Sequence, residues 1–139
     1  MSKNTVRKPR AARGWWSFDD LCTVISKEDL VDILGEFKPG DKYSLAWREI
    51  VFICERAKEY VCEILGSSAQ FDKGNVPVCV NECVVVLAAM WLFTNSKLPD
   101  VKEKLQKRFD ESKKLVEQLR DKRVMPDTTR TVNFGNGVT

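Results

Sequence analysis

Residues Val78 to Phe93 form an apolar run with only two strongly polar interruptions, Asn81 and Glu82. It is long for a β-strand and carries no turn signal, so despite the three consecutive valines Val84–Val86 it reads as a helix. Apolar on almost every side, such a helix must be covered all round. The segment after it, opening at Pro99 and closing before Pro126, is highly charged with one apolar stripe: Val101, Leu105, Phe109, Ser112, Val116 and Leu119, widened by Leu115. Glu103–Lys107 and Asp110–Lys114 are i,i+4 pairs in the favourable order. The two segments predict an all-α fold, a small helical bundle with a central buried helix and long helices packed on it.

The upstream sequence supplies the remaining elements. Ser17, with Asp20 three residues on, has the spacing of a capping box and predicts a short helix to about Val24. Ser26 with Asp29 repeats the signal, and Gly35 supplies the stop. Lys38-Pro39-Gly40-Asp41 reads as a turn. Ser44 then caps a long helix ending at Gly66, with Trp47, Ile50, Val51, Cys54, Ala57, Val61, Ile64 and Leu65 at three- and four-residue steps. Residues 66–76 read as an irregular loop, and Pro77 suits the first turn of the apolar helix.

The 139 residues fit one domain with tails. Three parts are expected: a basic N-terminal arm at 1–16, a helical domain at 17–125 and an extended C-terminal segment at 126–139. The net charge is +3, yet Lys3, Arg7, Lys8, Arg10 and Arg13 all precede the first acid at Asp19. Without the arm the body is slightly acidic, so only the arm suits a polyanion. Arg7, Lys8, Arg10 and Arg13, with Trp15 and Trp16 for stacking, are the candidate contacts for DNA or a protein partner. The plainer reading is a solvated tail whose tryptophans mark where the chain meets the body.

Catalytic chemistry finds little support. The chain has no histidine, the commonest general base and metal ligand. Ser67 and Ser68 lie in a glycine-flanked loop without an identifiable base. Glu82 is expected to reach solvent at a helix edge or to pair with a lysine. The five cysteines include no CxxC and fit free thiols packed as small hydrophobes in a reduced, intracellular chain. Cys79 and Cys83 share a helix face but lack two further ligands, so neither a metal site nor a cofactor is expected. The basic N-terminus is followed by no apolar leader segment, and the 78–93 run is short for a membrane span; a soluble chain is expected.

The order of these segments resembles the head–tail adaptor (connector) proteins of tailed phages, the type of Mu-like phages in particular. The likeness runs from about Phe18 to Asp127. It rests on Phe18-Asp19-Asp20-Leu21, on Lys27-Glu28-Asp29-Leu30-Val31-Asp32, and on Glu59-Tyr60 before a loop. Asn75-Val76-Pro77 leading into an apolar helix, a charged helix over Glu103–Lys122, and the exit Val124-Met125-Pro126 complete it. The chain differs in its longer basic arm and in Met90-Trp91-Leu92-Phe93, where an Arg/Tyr-rich signature is often found. The resemblance implies a virion protein that forms a homo-oligomeric ring, usually of twelve, beneath the portal protein. Such a ring extends the channel for genomic DNA and receives a downstream neck, stopper or tail-completion protein. It further implies a portal-docking tail, here Thr129, Arg130, Thr131, Val132, Asn133 and Phe134, that gains order on binding. The charged faces of the helices at 45–65 and 99–123 would supply subunit contacts and channel wall. The alternative is a small DNA-binding or packaging accessory protein acting through the basic arm, and a third reading is a regulatory helical module that binds another protein.

Overall fold

The computed structural model describes residues 14–72, 74–93 and 99–128, with the side chains of the last helix described over 101–122. Among the described residues there are five α-helices and no strand: α1 (Phe18–Cys22), α2 (Lys27–Leu34), α3 (Leu45–Leu65), α4 (Val78–Leu92) and α5 (Pro99–Thr128). A 3-10 turn over Gly66–Ala69 extends the end of α3.

Each of the first three helices starts where its serine allows. The side chains of Ser17, Ser26 and Ser44 accept from the backbone N–H of Asp20, Asp29 and Trp47 respectively. Each satisfies one donor that the first helical turn leaves without a partner. Gly35 and Gly66 close α2 and α3 with φ of 92° and 59°, a region that a Cβ makes costly. Helix α4 begins differently. Pro77 is its N-cap residue, without a side-chain cap, and its carbonyl accepts from Val80 and Asn81.

Helix α4 is the centre of the molecule. Ten of its fifteen residues are buried, among them Val80, Val84, Val86, Ala88 and Ala89. Its widest contacts are with α5 and α3, and α1 packs on it as well. The three valines stay helical because burial on every side outweighs their weak preference for a strand. From α3 the core receives Ile50, Cys54, Ala57, Val61 and Leu65; from α5 it receives Leu105, Phe109 and Val116. Leu21 and Leu30, both fully buried, anchor the two short helices. A second cluster of rings, Phe18, Phe37 and Trp47, locks α1 and the segment after α2 against the start of α3, with centroids 5.5–6.3 Å apart.

The ends of α3 and α5 are joined by polar groups. Arg120 donates through Nη1 to the carbonyl of Ile64 at 3.2 Å, and Ser68 donates through Oγ to the carbonyl of Arg120 at 3.4 Å. A terminal carbonyl of α3, which the helix itself leaves without a partner, is thereby satisfied from a helix far along the chain.

Two boundaries differ from the sequence reading. Helix α5 does not stop before Pro126 but runs through it to Thr128. A proline forfeits only its own N–H bond and crowds one carbonyl a turn back, a modest loss where the helix is about to end. Leu115 does not widen the buried stripe either. It is 51% exposed, because its position points past the edge of the α4 contact.

Truncating Ile50 to alanine should cost roughly 2–5 kcal/mol of stability in urea unfolding, since the cavity lies at the α3–α4 contact. Replacing Ser44 with alanine should cost about 1 kcal/mol. A change below 0.5 kcal/mol for Ile50→Ala would contradict the packing described.

Candidate functional site

Asn81 is the most heavily connected polar residue of the body. It lies on α4 at 2% exposure, and its side-chain amide nitrogen faces three acceptors. These are the carbonyls of Gly14 and Trp15, each at 3.2 Å, and Asp20 Oδ2 at 2.9 Å. None of the three carries a hydrogen, so the NH₂ group and not the amide oxygen must face them. One side chain thus holds together the central helix, the first helix and the segment entering the body.

That entering segment includes the two tryptophans. Trp15 packs against Phe71, with centroids 5.6 Å apart, and lies beneath Lys58 at 5.7 Å. Trp16 donates through Nε1 to Glu55 Oε2 at 2.7 Å. Both are half-buried against the core. Gly14–Trp16 therefore belongs to the folded body, and the arm read from sequence as 1–16 reaches it three residues earlier. The other arm candidates, Arg7, Lys8, Arg10 and Arg13, lie outside the described residues. So do all six residues of the expected docking tail, Thr129, Arg130, Thr131, Val132, Asn133 and Phe134.

Glu82 sits at a helix edge as expected, but its partner is an arginine: Arg108 Nη2 lies 3.6 Å from Glu82 Oε2, both about 40% exposed. A pair this exposed contributes on the order of 0–1 kcal/mol. Together with Asp20, Thr23, Val78 and Val85 it lines a groove of about 240 Å³ between α1, α4 and α5.

The cysteines are all free thiols. Among the described residues no group of three or more His, Cys, Asp or Glu is placed to hold a metal ion, nor is any helix long and apolar enough to cross a membrane. Burial pushes the Cys54 thiol up to about 12, with Glu55 adding to the shift. Burial likewise pushes Cys83 up to about 11, although a hydrogen bond with Ser112 pulls the other way. Desolvation raises Cys22, Cys62 and Cys79 too. None has the lowered pKa of a nucleophilic thiol.

What remains open on the body is apolar surface. Leu45 is 78% exposed and Phe52 56% exposed. Seven residues apart on α3, they occupy the side opposite Ile50, Cys54 and Val61. Arg56 lies over the Phe52 ring at 5.7 Å, and with Ile53 and Trp91 these two line a groove of about 270 Å³. Sequence periodicity passes over Phe52 because it falls among Arg48, Glu55, Arg56 and Glu59 on the polar side. Its signal is that very misplacement: a large ring where the helical pattern calls for charge.

No family model, curated protein or solved structure matches the chain.

Asn81→Asp should destabilise the fold by about 3–5 kcal/mol at neutral pH, since a buried charge would face three acceptors. The penalty relative to the native chain should shrink as pH falls and the new carboxyl gains a proton to donate. A pH-independent difference would contradict the geometry. The native thiols make an alkaline prediction. Cys54 and Cys83 have folded pKa values above the ordinary 9.0, so the folded state holds their protons longer than the unfolded chain does. The stability they contribute is whole below about pH 9 and is lost as pH rises toward 11–12. Denaturant midpoints should fall over that window, and less so in Cys54→Ala than in the native chain.

Proposed function

We propose that this chain is a structural subunit of a phage neck, a connector that forms a ring under the portal, carries DNA through its channel and joins head to tail. The observation that supports this reading best is the outward face of α3, where Leu45 and Phe52 project into solvent, Phe52 lining the groove at Trp91. Single exposed apolar residues are common, but Phe52 continues into an apolar groove with Ile53 and Trp91, and a contiguous apolar patch is what a protein partner covers. The work of the molecule then lies in faces that meet other proteins, and the reading assigns it no catalytic step. The charge distribution suits the role. A body close to neutral does not grip phosphates, as a channel that passes DNA requires.

In this role residues 129–139 dock on the portal and α5 supplies the rigid stem from which they leave. The alternative, a DNA-binding accessory protein, depends on the basic arm. Trp15 and Trp16, which would stack on bases in that reading, are already engaged with Phe71, Lys58 and Glu55.

Removal of residues 129–139 leaves every described helix whole, so the truncated chain should keep its circular dichroism and its unfolding midpoint. Binding to a purified portal ring should fall at least tenfold. Undiminished binding by the truncated chain would overturn the docking role. Strong duplex-DNA binding that vanishes on deletion of residues 1–13 would favour the accessory protein instead.

A further inference from the structure

The outward face of α3 becomes its own complement when turned end for end. At about 100° per residue, the helix sets Phe52 opposite the buried Ile50, Cys54, Ala57, Val61 and Leu65. Leu45 and Glu63 lie close to the Phe52 line. Glu49 and Arg56 stand to one side of it, Arg48 and Glu59 to the other, and all are exposed. On the first side the acid precedes the base along the chain; on the second the base precedes the acid. Both pairs are centred on Ile53, at the groove that Phe52, Ile53, Arg56 and Trp91 line.

These charges are not spent within the chain. Among the described residues no ion pair engages Arg48, Glu49, Arg56 or Glu59. Arg56 instead lies over the Phe52 ring. Glu59 has Glu55 and Glu63 four residues to either side, a spacing of like charges that a base supplied from outside relieves.

We propose that this face docks on the same face of a second copy of the chain, the two α3 helices lying antiparallel about a two-fold axis at Ile53. The axis brings Glu49 of each copy opposite Arg56 of the other, and Arg48 opposite Glu59. The two Phe52 rings meet near the centre. Leu45 of each copy comes level with Tyr60 of the other, which is itself 38% exposed. A parallel pairing is disfavoured by the same residues, since it sets Glu59 and Glu63, both near the centre line, against their own copies. The acids at Glu49, Glu59 and Glu63 make the face a poor one for a polyanion. Covering Phe52 supplies attraction that salt does not screen, while the ion pairs set direction and register. Because like patches meet, the contact closes at two copies and does not propagate, which distinguishes it from any contact that builds a ring. It also covers the groove at Trp91, so another protein reaches that groove only after the two copies part. The pairing stands on charge and exposure and does not require the connector reading.

Sedimentation velocity on the full chain tests it. The native chain should run as a dimer that parts on dilution, and parts more readily in about 0.5 M salt than in about 0.1 M. Arg56→Glu and Glu49→Arg, both at exposed positions, should keep native helicity and unfolding midpoint. Each should weaken the dimer roughly tenfold or more, because each sets like charges together at two symmetry-related contacts. An equimolar mixture of the two variants should regain the dimer, since every acid again meets a base across the antiparallel axis; in a parallel pair the same mixture would leave like charges facing one another. Phe52→Ala should weaken the dimer at either salt concentration. A native chain that stays monomeric would leave the face to a different protein and overturn the pairing. So would a dimer that either charge variant leaves intact, or a mixture that gains nothing. If the mixture regains the dimer and the native chain still ignores a portal ring, the connector reading fails and the pairing holds.

Discussion

Helix α4 buries ten of its fifteen residues and meets solvent chiefly at the edge of Val78 and Glu82. Everything else in the fold follows from covering it. An apolar helix of fifteen residues, about 22 Å long, cannot be buried by one partner. Here α3 and α5 pack along it, with α1 contributing a smaller contact. The cover is sealed by one polar group on the helix itself. Asn81 would be expensive in such a setting without partners, and the structure gives it three acceptors from two separate parts of the chain. The same side chain that interrupts the hydrophobic run also fixes how the N-terminal segment is laid across it.

This arrangement explains why the outer surfaces can be specific. With Asn81 holding the entering segment, Arg120 joining the ends of α3 and α5, and the ring cluster of Phe18, Phe37 and Trp47 fixing the start of α3, the helices have little freedom to slide. The exposed groups on them are therefore held in fixed relation, among them Phe52 and Leu45 on α3 and Glu28 and Asp32 on α2. An assembly protein needs such a relation more than it needs any single strong contact. The proposed function places the work of the molecule in these faces, and the near-neutral body keeps them from competing for nucleic acid.

Much of the architecture was legible from residue order. Ser17, Ser26 and Ser44 cap the helices they announce, and the helical period of Ile50 to Leu65 marks the buried side of α3. The run at 78–93 marks the central helix because no other element buries so long an apolar stretch. The errors share a physical origin. Pro126 is a strong breaker in a helix interior and a weak one in a final turn, a difference the residue alone does not carry. Leu115 satisfies the helical spacing, yet which edge of a stripe is covered depends on the neighbour's width. Asn81 and Arg120 were opaque for another reason. Their acceptors are backbone carbonyls and a carboxylate more than fifty residues away, which only the tertiary fold brings near. The basic arm beyond Gly14 and the tail beyond Thr128 were read as functional segments, and they lie outside the described residues.

Residue-resolved hydrogen exchange on the native chain tests most directly whether α4 is the wrapped centre on which the rest depends. The amides of Val84 to Ala89 should exchange only through complete unfolding, with a protection free energy equal to that from urea denaturation, and those of Ile50 to Val61 on α3 should match them. Exchange of Val84 to Ala89 through local opening, at a free energy well below the global value, would mean that the helix is not enclosed as described.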